Sequence, residues 1–323
     1  MDTFKSCKRR WYLHYFLGLR RRTERRAVPR DTGTLVHAAL DVFYKRGGTT
    51  NIEQARDAVS EFVQRQRIED QSTVIDSEVD KLQQTYEFAN IAIDGYVAWL
   101  LATGADDPYD FQESEVKLTA PGPVDGTTLL GILDLAGTHR ASGDLFVMDT
   151  KTITSIDTTI KTLNLNEQAP MYATLSTIND GNPDRHFRVV WNLIRRCKQT
   201  KKAKPPFYAR YELALNTATL DQFWRQLHGQ VKDILQAEQR LNAGQAHVEV
   251  CYPAPTPDCS WKCPYIMICG TMNDPRNDIT WMLNEYYSTA AEREAVGLLQ
   301  EAENASLWDL GNDSVVESAT PES

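Results

Sequence analysis

Cysteine is scarce, with six among 323 residues, and its uneven spacing excludes the disulfide scaffold of a small secreted protein. The expectation is a reducing, cytoplasmic setting in a bacterial or phage-infected cell. No apolar run approaches the ~20 residues that cross a bilayer. The longest stretch, Trp11 to Leu19, is interrupted by His14 and closed by Arg20, Arg21 and Arg22, so it reads as a core helix rather than a leader, and no membrane partner is expected. Glycine and proline are too few for a collagen-like or linker-like chain. Basic residues are also outnumbered, 35 against 44, and the net charge of −9 by itself argues against a general affinity for polyanions.

That average conceals segregation. Residues 1–30 hold ten Lys and Arg against Asp2 and Glu24, whereas residues 271–323 hold eleven acids against Arg276 and Arg293. A second basic island, Arg195, Arg196 and Lys198 followed by Lys201, Lys202 and Lys204, contains no acid. Phosphate contacts need only local positive potential, so Arg20, Arg21, Arg22, Lys201, Lys202 and Lys204 are candidate DNA contacts. Solvated faces are the alternative.

Hydrophobic periodicity predicts helices over Phe4 to Leu19, Gly33 to Tyr44, Ile52 to Ile68 and Ser77 to Leu101. The period then changes to two. Phe111 to Leu118, Thr127 to Gly137 and Leu145 to Thr152 read as three strands joined by short turns. A helix is expected from about Asn166 to Ile178, entered near Gln168 because Pro170 fits only the first turn. Strands at His186 to Arg196 and Phe207 to Leu213 follow, then helices at Leu220 to Leu241 and Ile279 to Glu303. Residues 304–323 are acidic and polar enough to be expected disordered.

The chemistry lies on the three-strand meander. Asp134 and Asp149 sit within apolar strands, where an unpaired carboxylate would cost several kcal/mol, roughly. Lys151 follows Asp149 by two residues, so strand alternation points both to one face. Two carboxylates and a lysine on one face suit Mg²⁺ or Mn²⁺, with an ammonium left to stabilise charge on phosphate; a structural ion pair is the alternative. His37 falls on a helix face shared with Leu40, Asp41 and Tyr44, and Gln168 and Tyr172 share another four residues apart.

The order of these features, an N-terminal cysteine before an aromatic helix, Gly33-x-x-x-His37, Gly131-x-x-Asp134, Asp149-x-Lys151, Gln168-x-x-x-Tyr172 and then a cysteine cluster, resembles the RecB-like branch of the PD-(D/E)XK nuclease superfamily. It resembles the iron–sulfur members, which include CRISPR-associated exonucleases, the AddB nuclease domain and related phage exonucleases. The resemblance spans Cys7 to Cys269 and implies an α/β (α+β) fold with a restriction-endonuclease-like core of α-β-β-β-α-β order. It implies a nuclease domain over 1–270 with a helical insertion at about 45–105; beyond it the pattern and composition give a helical extension over 271–303 and a disordered tail over 304–323. The implied activity is metal-dependent DNA exonuclease action in phage or bacterial recombination or repair, with a recombination or helicase partner. A catalytically inactive nucleic-acid-binding protein with a structural cysteine-ligated metal is the alternative. By resemblance His37, Asp134, Asp149 and the Thr150 carbonyl ligate Mg²⁺ or Mn²⁺, with Glu115 as a secondary ligand. Lys151 acts on the attacking water and the developing charge, while Gln168 and Tyr172 line the site and contact DNA.

Cys259-x3-Cys263-x5-Cys269, with Cys7 far upstream, can supply four thiolates to a [4Fe–4S] cluster or, less favoured, to zinc; unligated cysteines are the third reading. The spacing departs by one residue from the C-x2-C-x5-C usual in the family. Cys197 and Cys251 are expected to be a buried small residue and a bystander.

Overall fold

A computed structural model describes residues 1–22, 27–182, 187–198 and 200–295. Its helices in chain order are α1 (Asp2–Ser6), α2 (Lys8–Trp11), α3 (Val28–Lys45), α4 (Ile52–Thr73), α5 (Val79–Thr103) and α6 (Ile156–Leu163). They continue with α7 (Gln168–Asp180), α8 (Thr217–Asn242), α9 (His247–Val250), α10 (Cys259–Lys262), α11 (Ile266–Thr271) and α12 (Thr280–Tyr286). The strands are β1 (Arg20–Arg21), β2 (Tyr109–Pro121), β3 (Thr128–His139), β4 (Leu145–Ile153), β5 (Phe187–Arg195), β6 (Tyr208–Leu215) and β7 (Tyr287–Ser288). Two compact units result, one from residues 25–229 and one from residues 1–24 with those from 230 onward. Among the described residues no helix is long and apolar enough to cross a membrane.

The larger unit is built on a five-stranded sheet of order β2-β3-β4-β5-β6. β2, β3 and β4 form an antiparallel meander, β4 and β5 run parallel, and β6 returns antiparallel. The parallel pair requires a crossover, which α6 and α7 supply. α3 starts with Pro in its first turn and buries Leu35, Val36, Ala39, Leu40 and Phe43 against α4 and α5. The same cluster takes in Ile194 of β5 and Tyr208 of β6, while α6 and α7 pack with Phe187, Val189, Trp191 and Leu193 of β5 on the other face. This is a mixed α/β architecture of the α-β-β-β-α-β kind. The expected helix entry also holds: Gln168 opens α7, its N–H donates to Asn166 Oδ1 at 2.8 Å, and Pro170 occupies the first turn.

In the smaller unit, α2 runs into a π-helical turn at Tyr12–Phe16, and Leu13, Leu19, Tyr265, Ile268 and Tyr287 make a core. The helix expected from Ile279 is interrupted after Tyr286. Tyr287 and Ser288 instead pair antiparallel with Arg21 and Arg20, a backbone partnership that a local helical period cannot reveal. Residues 296–323, including the acidic tail, lie outside the described residues.

Candidate active site

Glycines explain how the helices reach the sheet. A Cβ at Gly33 would stand 2.9 Å from Thr152 Oγ1, so the bare backbone lets α3 lie against the end of β4 and places His37 one turn later over the sheet. Gly131 does the same on the opposite face, where a Cβ would come within 2.7 Å of Leu175 Cδ1 of α7. These two glycines are thus packing requirements of the motifs in which they occur.

The strands change face at the site. Leu133 packs with Val147 and with Tyr172 of α7, yet Leu135, two residues on, packs with Phe146, Met148 and Tyr44 of α3. Val147 and Met148 are consecutive on β4, so these clusters lie on opposite sides of the sheet. The switch falls at Asp134. Opposite it in register, between the pairs Ser114–Leu135 and Val116–Leu133, stands Glu115 with φ of 53°, the one non-glycine positive φ among the described residues. Such strain persists where neighbouring structure enforces it. The β3–β4 ladder also stops here, at Leu135–Met148, and the Thr150 N–H donates instead to Asp134 Oδ2 at 2.7 Å.

Asp134 thereby meets His37, whose Nδ1 lies 3.1 Å from Asp134 Oδ2. Burial is the largest influence on this imidazole and pushes its pKa down, but the hydrogen bond and charge of Asp134, with help from Asp149, more than offset it, so the net direction is up. Asp149 is 2% exposed. Its Oδ1 accepts from Gln168 Nε2 and Tyr172 Oη, each at 2.9 Å, and Lys151 Nζ stands 2.6 Å from its Oδ2. Burial pushes the Asp149 carboxyl up against the opposing pull of Lys151, and Tyr172 is held protonated by burial and by Asp149.

Gly33, Thr34, His37, Ala38, Asp41, Glu115 and Asp134 line an open depression of about 530 Å³. Asp41 joins the site because it follows His37 by one helical turn, a spacing that the sequence displays. It pairs with Lys45 at 2.8 Å and keeps Oδ1 buried without a hydrogen-bond partner. Burial, with the charges of Asp134 and Asp41, pushes the Glu115 carboxyl up. Among the described residues no three His, Cys, Asp or Glu side chains converge as a metal-holding group. In chemistry, the carboxylates of Glu115, Asp134 and Asp149 are hard oxygen donors that fit Mg²⁺ or Mn²⁺, the imidazole of His37 is a borderline donor better matched to Mn²⁺ than to Mg²⁺, and the orphaned Asp41 oxygen in the same depression fits a site that gains a cation.

The basic candidates divide. Arg20 donates to the carbonyls of His14 and Leu19, Arg21 Nε to the Pro264 carbonyl at 2.8 Å, and Arg22 to the Asn284 carbonyl and Glu292. The guanidiniums of Arg21 and Arg22 tie the two ends of the smaller unit together, while that of Arg20 caps carbonyls of its own segment. Lys201, Lys202 and Lys204 are exposed, and among the described residues their ammonium groups have no ion pair.

All four candidate cluster cysteines lie in the smaller unit. Cys7 Sγ accepts the Arg10 N–H at 3.5 Å and Cys259 Sγ that of Thr256 at 3.4 Å. Burial pushes the Cys263 thiol up, a hydrogen bond from the backbone of Tyr265 opposes this, and the nearby Cys259 and Cys269 add to the rise. Cys251 is fully buried.

The profile of the PD-(D/E)XK nuclease superfamily matches residues 1–270. No curated protein matches the chain. Among solved structures, a protein provisionally assigned as an exonuclease from Eubacterium rectale aligns with 13% identity over 87% of this chain and 89% of its own, at a TM-score of 0.48. A protein designated SSO0001 aligns with 16% identity over 65% of this chain and 96% of its own, at a TM-score of 0.32.

Proposed function

The chain belongs to the PD-(D/E)XK nuclease superfamily, and from that premise we propose that it is a DNA exonuclease dependent on Mg²⁺ or Mn²⁺. The observation that carries the reading is the pairing of Lys151 Nζ with the buried Asp149 carboxylate, 2.6 Å apart, beside an Asp134 already gripped by His37 and the Thr150 N–H.

Members of this superfamily generally use Mg²⁺ or Mn²⁺. Asp134, Asp149, His37 and Glu115 would hold the ion here, with the Thr150 carbonyl as a further candidate. When bound, a divalent cation supplies neutralisation of charge on the phosphodiester and its leaving oxygen. The chain's own groups do the rest. Gln168 and Tyr172 hold Asp149 in one orientation, so its free lone pairs face a defined direction. Lys151, anchored on Asp149, presents an ammonium to the attacking water and to the charge that builds on the phosphorus oxygens, in a partly buried setting where that charge counts for more than in water. His37 holds Asp134 oriented through their contact at 3.1 Å. Lys201, Lys202 and Lys204 are proposed to follow the DNA backbone; Arg20, Arg21 and Arg22 remain candidates only to the extent that they can leave their carbonyl partners.

Cys7, Cys259, Cys263 and Cys269 are proposed to hold a [4Fe–4S] cluster, with zinc as the second choice. Thiolate donors from one unit, three of them receiving backbone N–H groups, have the chemistry for it. The alternative of a silent nucleic-acid-binding protein draws on one observation, that both oxygens of Asp149 are already engaged by Lys151, Gln168 and Tyr172.

The test is incubation of the purified protein with end-labelled linear DNA and with closed circular DNA, in Mg²⁺, Mn²⁺ or EDTA. Metal-dependent loss of the linear substrate with the circle intact is expected. Cleavage of the circle would make the enzyme an endonuclease, and binding without degradation would favour the silent reading.

A further inference from the structure

One face of the β2–β3 hairpin is left open. On its other face Gly131 and Leu133 meet α7, and Asn179 Nδ2 donates to the Thr119 carbonyl at 3.1 Å. Alternation therefore turns Leu130 and Ile132 away from α7. They are 57% and 47% exposed. In register beside them stand Thr119, opposite Leu130, and Lys117, opposite Ile132, both exposed. One rung further along the same two strands are Glu115 and Asp134. The open face of an antiparallel sheet is ordinarily polar, so two neighbouring aliphatic side chains in the row that ends at the candidate active site call for an occupant.

We propose that this ledge, Lys117 and Thr119 beside Leu130 and Ile132, seats a single strand of DNA whose unpaired bases pack on the two aliphatic side chains while Lys117 meets a phosphate. The inference rests on the nuclease reading of the adjoining site and adds the substrate class to it. The ledge is continuous with that site, so a strand lying on it reaches Asp134 without a turn. Lys117 carries a charge complementary to phosphate and has no ion pair among the described residues. Leu130 and Ile132 choose between forms of DNA. A duplex presents phosphates and sugars outward, to which an aliphatic side chain offers little, whereas an unpaired base exposes an apolar face.

The experiment measures binding by the full chain in EDTA, so that cleavage does not intervene. The probes are a fluorescein-labelled oligothymidylate, the same backbone lacking bases, and a blunt duplex of equal length. Leu130→Ser combined with Ile132→Ser is expected to weaken oligothymidylate binding by about tenfold or more, to leave the duplex unchanged, and to have no effect on the abasic strand. Both side chains are largely exposed, so the melting temperature should hold. Lys117→Gln alone, a surface change, should lower the slope of log affinity against log salt by about 0.7 for the single strand. Equal weakening for single strand and duplex, or no weakening by either variant, overturns the proposal. So does a switch from dimer to monomer in light scattering with DNA binding intact, which would mean that a second copy of the chain covers the ledge. The two readings fail separately. A wild-type protein that degrades no DNA yet binds single strands through these residues loses the nuclease reading alone, and one that degrades DNA while the variants bind like wild type loses the ledge alone.

Discussion

The Asp134 carboxylate takes the Thr150 N–H at 2.7 Å at the point where the β3–β4 ladder ends, so a side chain replaces a backbone partner between two strands. The same oxygen faces His37 at 3.1 Å. Asp134 therefore has a structural task and a chemical one, and the site can be tested through residues that have only the second.

Asp149→Ala and Lys151→Ala are expected to lower the cleavage rate by at least about 10²–10³-fold, the loss typical when a group that stabilises transition-state charge is removed. Lys151→Ala leaves Asp149 with its bonds to Gln168 and Tyr172, so its fold should survive. Single-turnover degradation of labelled DNA is the measurement, and a variant that keeps more than a tenth of the wild-type rate would remove that residue from the assignment.

The raised pKa of His37 predicts how the metal-free protein responds to pH. A group whose folded pKa exceeds its unfolded value contributes stability in full below the unfolded pKa, here near the ordinary 6.5, and loses it as pH climbs through the raised value. Thermal melts in EDTA should show this decline, and His37→Gln should flatten it. An identical pH profile in wild type and variant would show that the His37–Asp134 pair stores no such energy.

Gly33→Ala should push α3 off β4, because the new Cβ would meet Thr152 Oγ1 at 2.9 Å. Overpacking of this kind costs about 1–3 kcal/mol. Thr152→Ala removes the offending atom, so the double variant should recover most of the stability lost, giving a coupling that two independent surface changes would lack. Denaturant melts of all four proteins complete the cycle.

The two basic segments should behave differently. Replacing Lys201 and Lys202 by Gln is expected to weaken DNA binding and reduce its salt slope by about 0.9 per lost duplex phosphate contact, with no change in melting temperature. Replacing Arg21 by Gln removes the bond to the Pro264 carbonyl and should lower the melting temperature. A salt slope that responds to Arg21 and not to the lysines would move the DNA path to the other unit.

Protein purified without oxygen should be brown, and Cys7→Ala, Cys259→Ala, Cys263→Ala or Cys269→Ala should bleach it, while Cys197→Ala and Cys251→Ala leave the colour. A colourless protein with stoichiometric zinc would replace the cluster by zinc. Bleaching by Cys251→Ala but not by Cys259→Ala would show a different ligand set.

Much of this molecule is legible in the linear chain because the responsible interactions are local. The change of hydrophobic period from helix to strand places the meander, and Pro170 places the start of α7. A two-residue step along a strand puts Asp149 and Lys151 on one face, and a four-residue step along a helix brings Gln168 and Tyr172 together. Other features depend on partners far away in sequence. Alternation counted back from Ala136 would point Asp134 toward α7, whereas counted forward from Ile132 it points to the side of His37; the left-handed Glu115 and the end of the β3–β4 ladder mark where the two counts meet, and the folded chain turns Asp134 to His37. Local charge makes Arg20, Arg21 and Arg22 look like a phosphate track, yet carbonyls from residues more than 240 positions away claim Arg21 and Arg22. A period records which side chains are apolar, but backbone hydrogen bonds between distant segments carry no side-chain signature, and only the folded chain decides where they form.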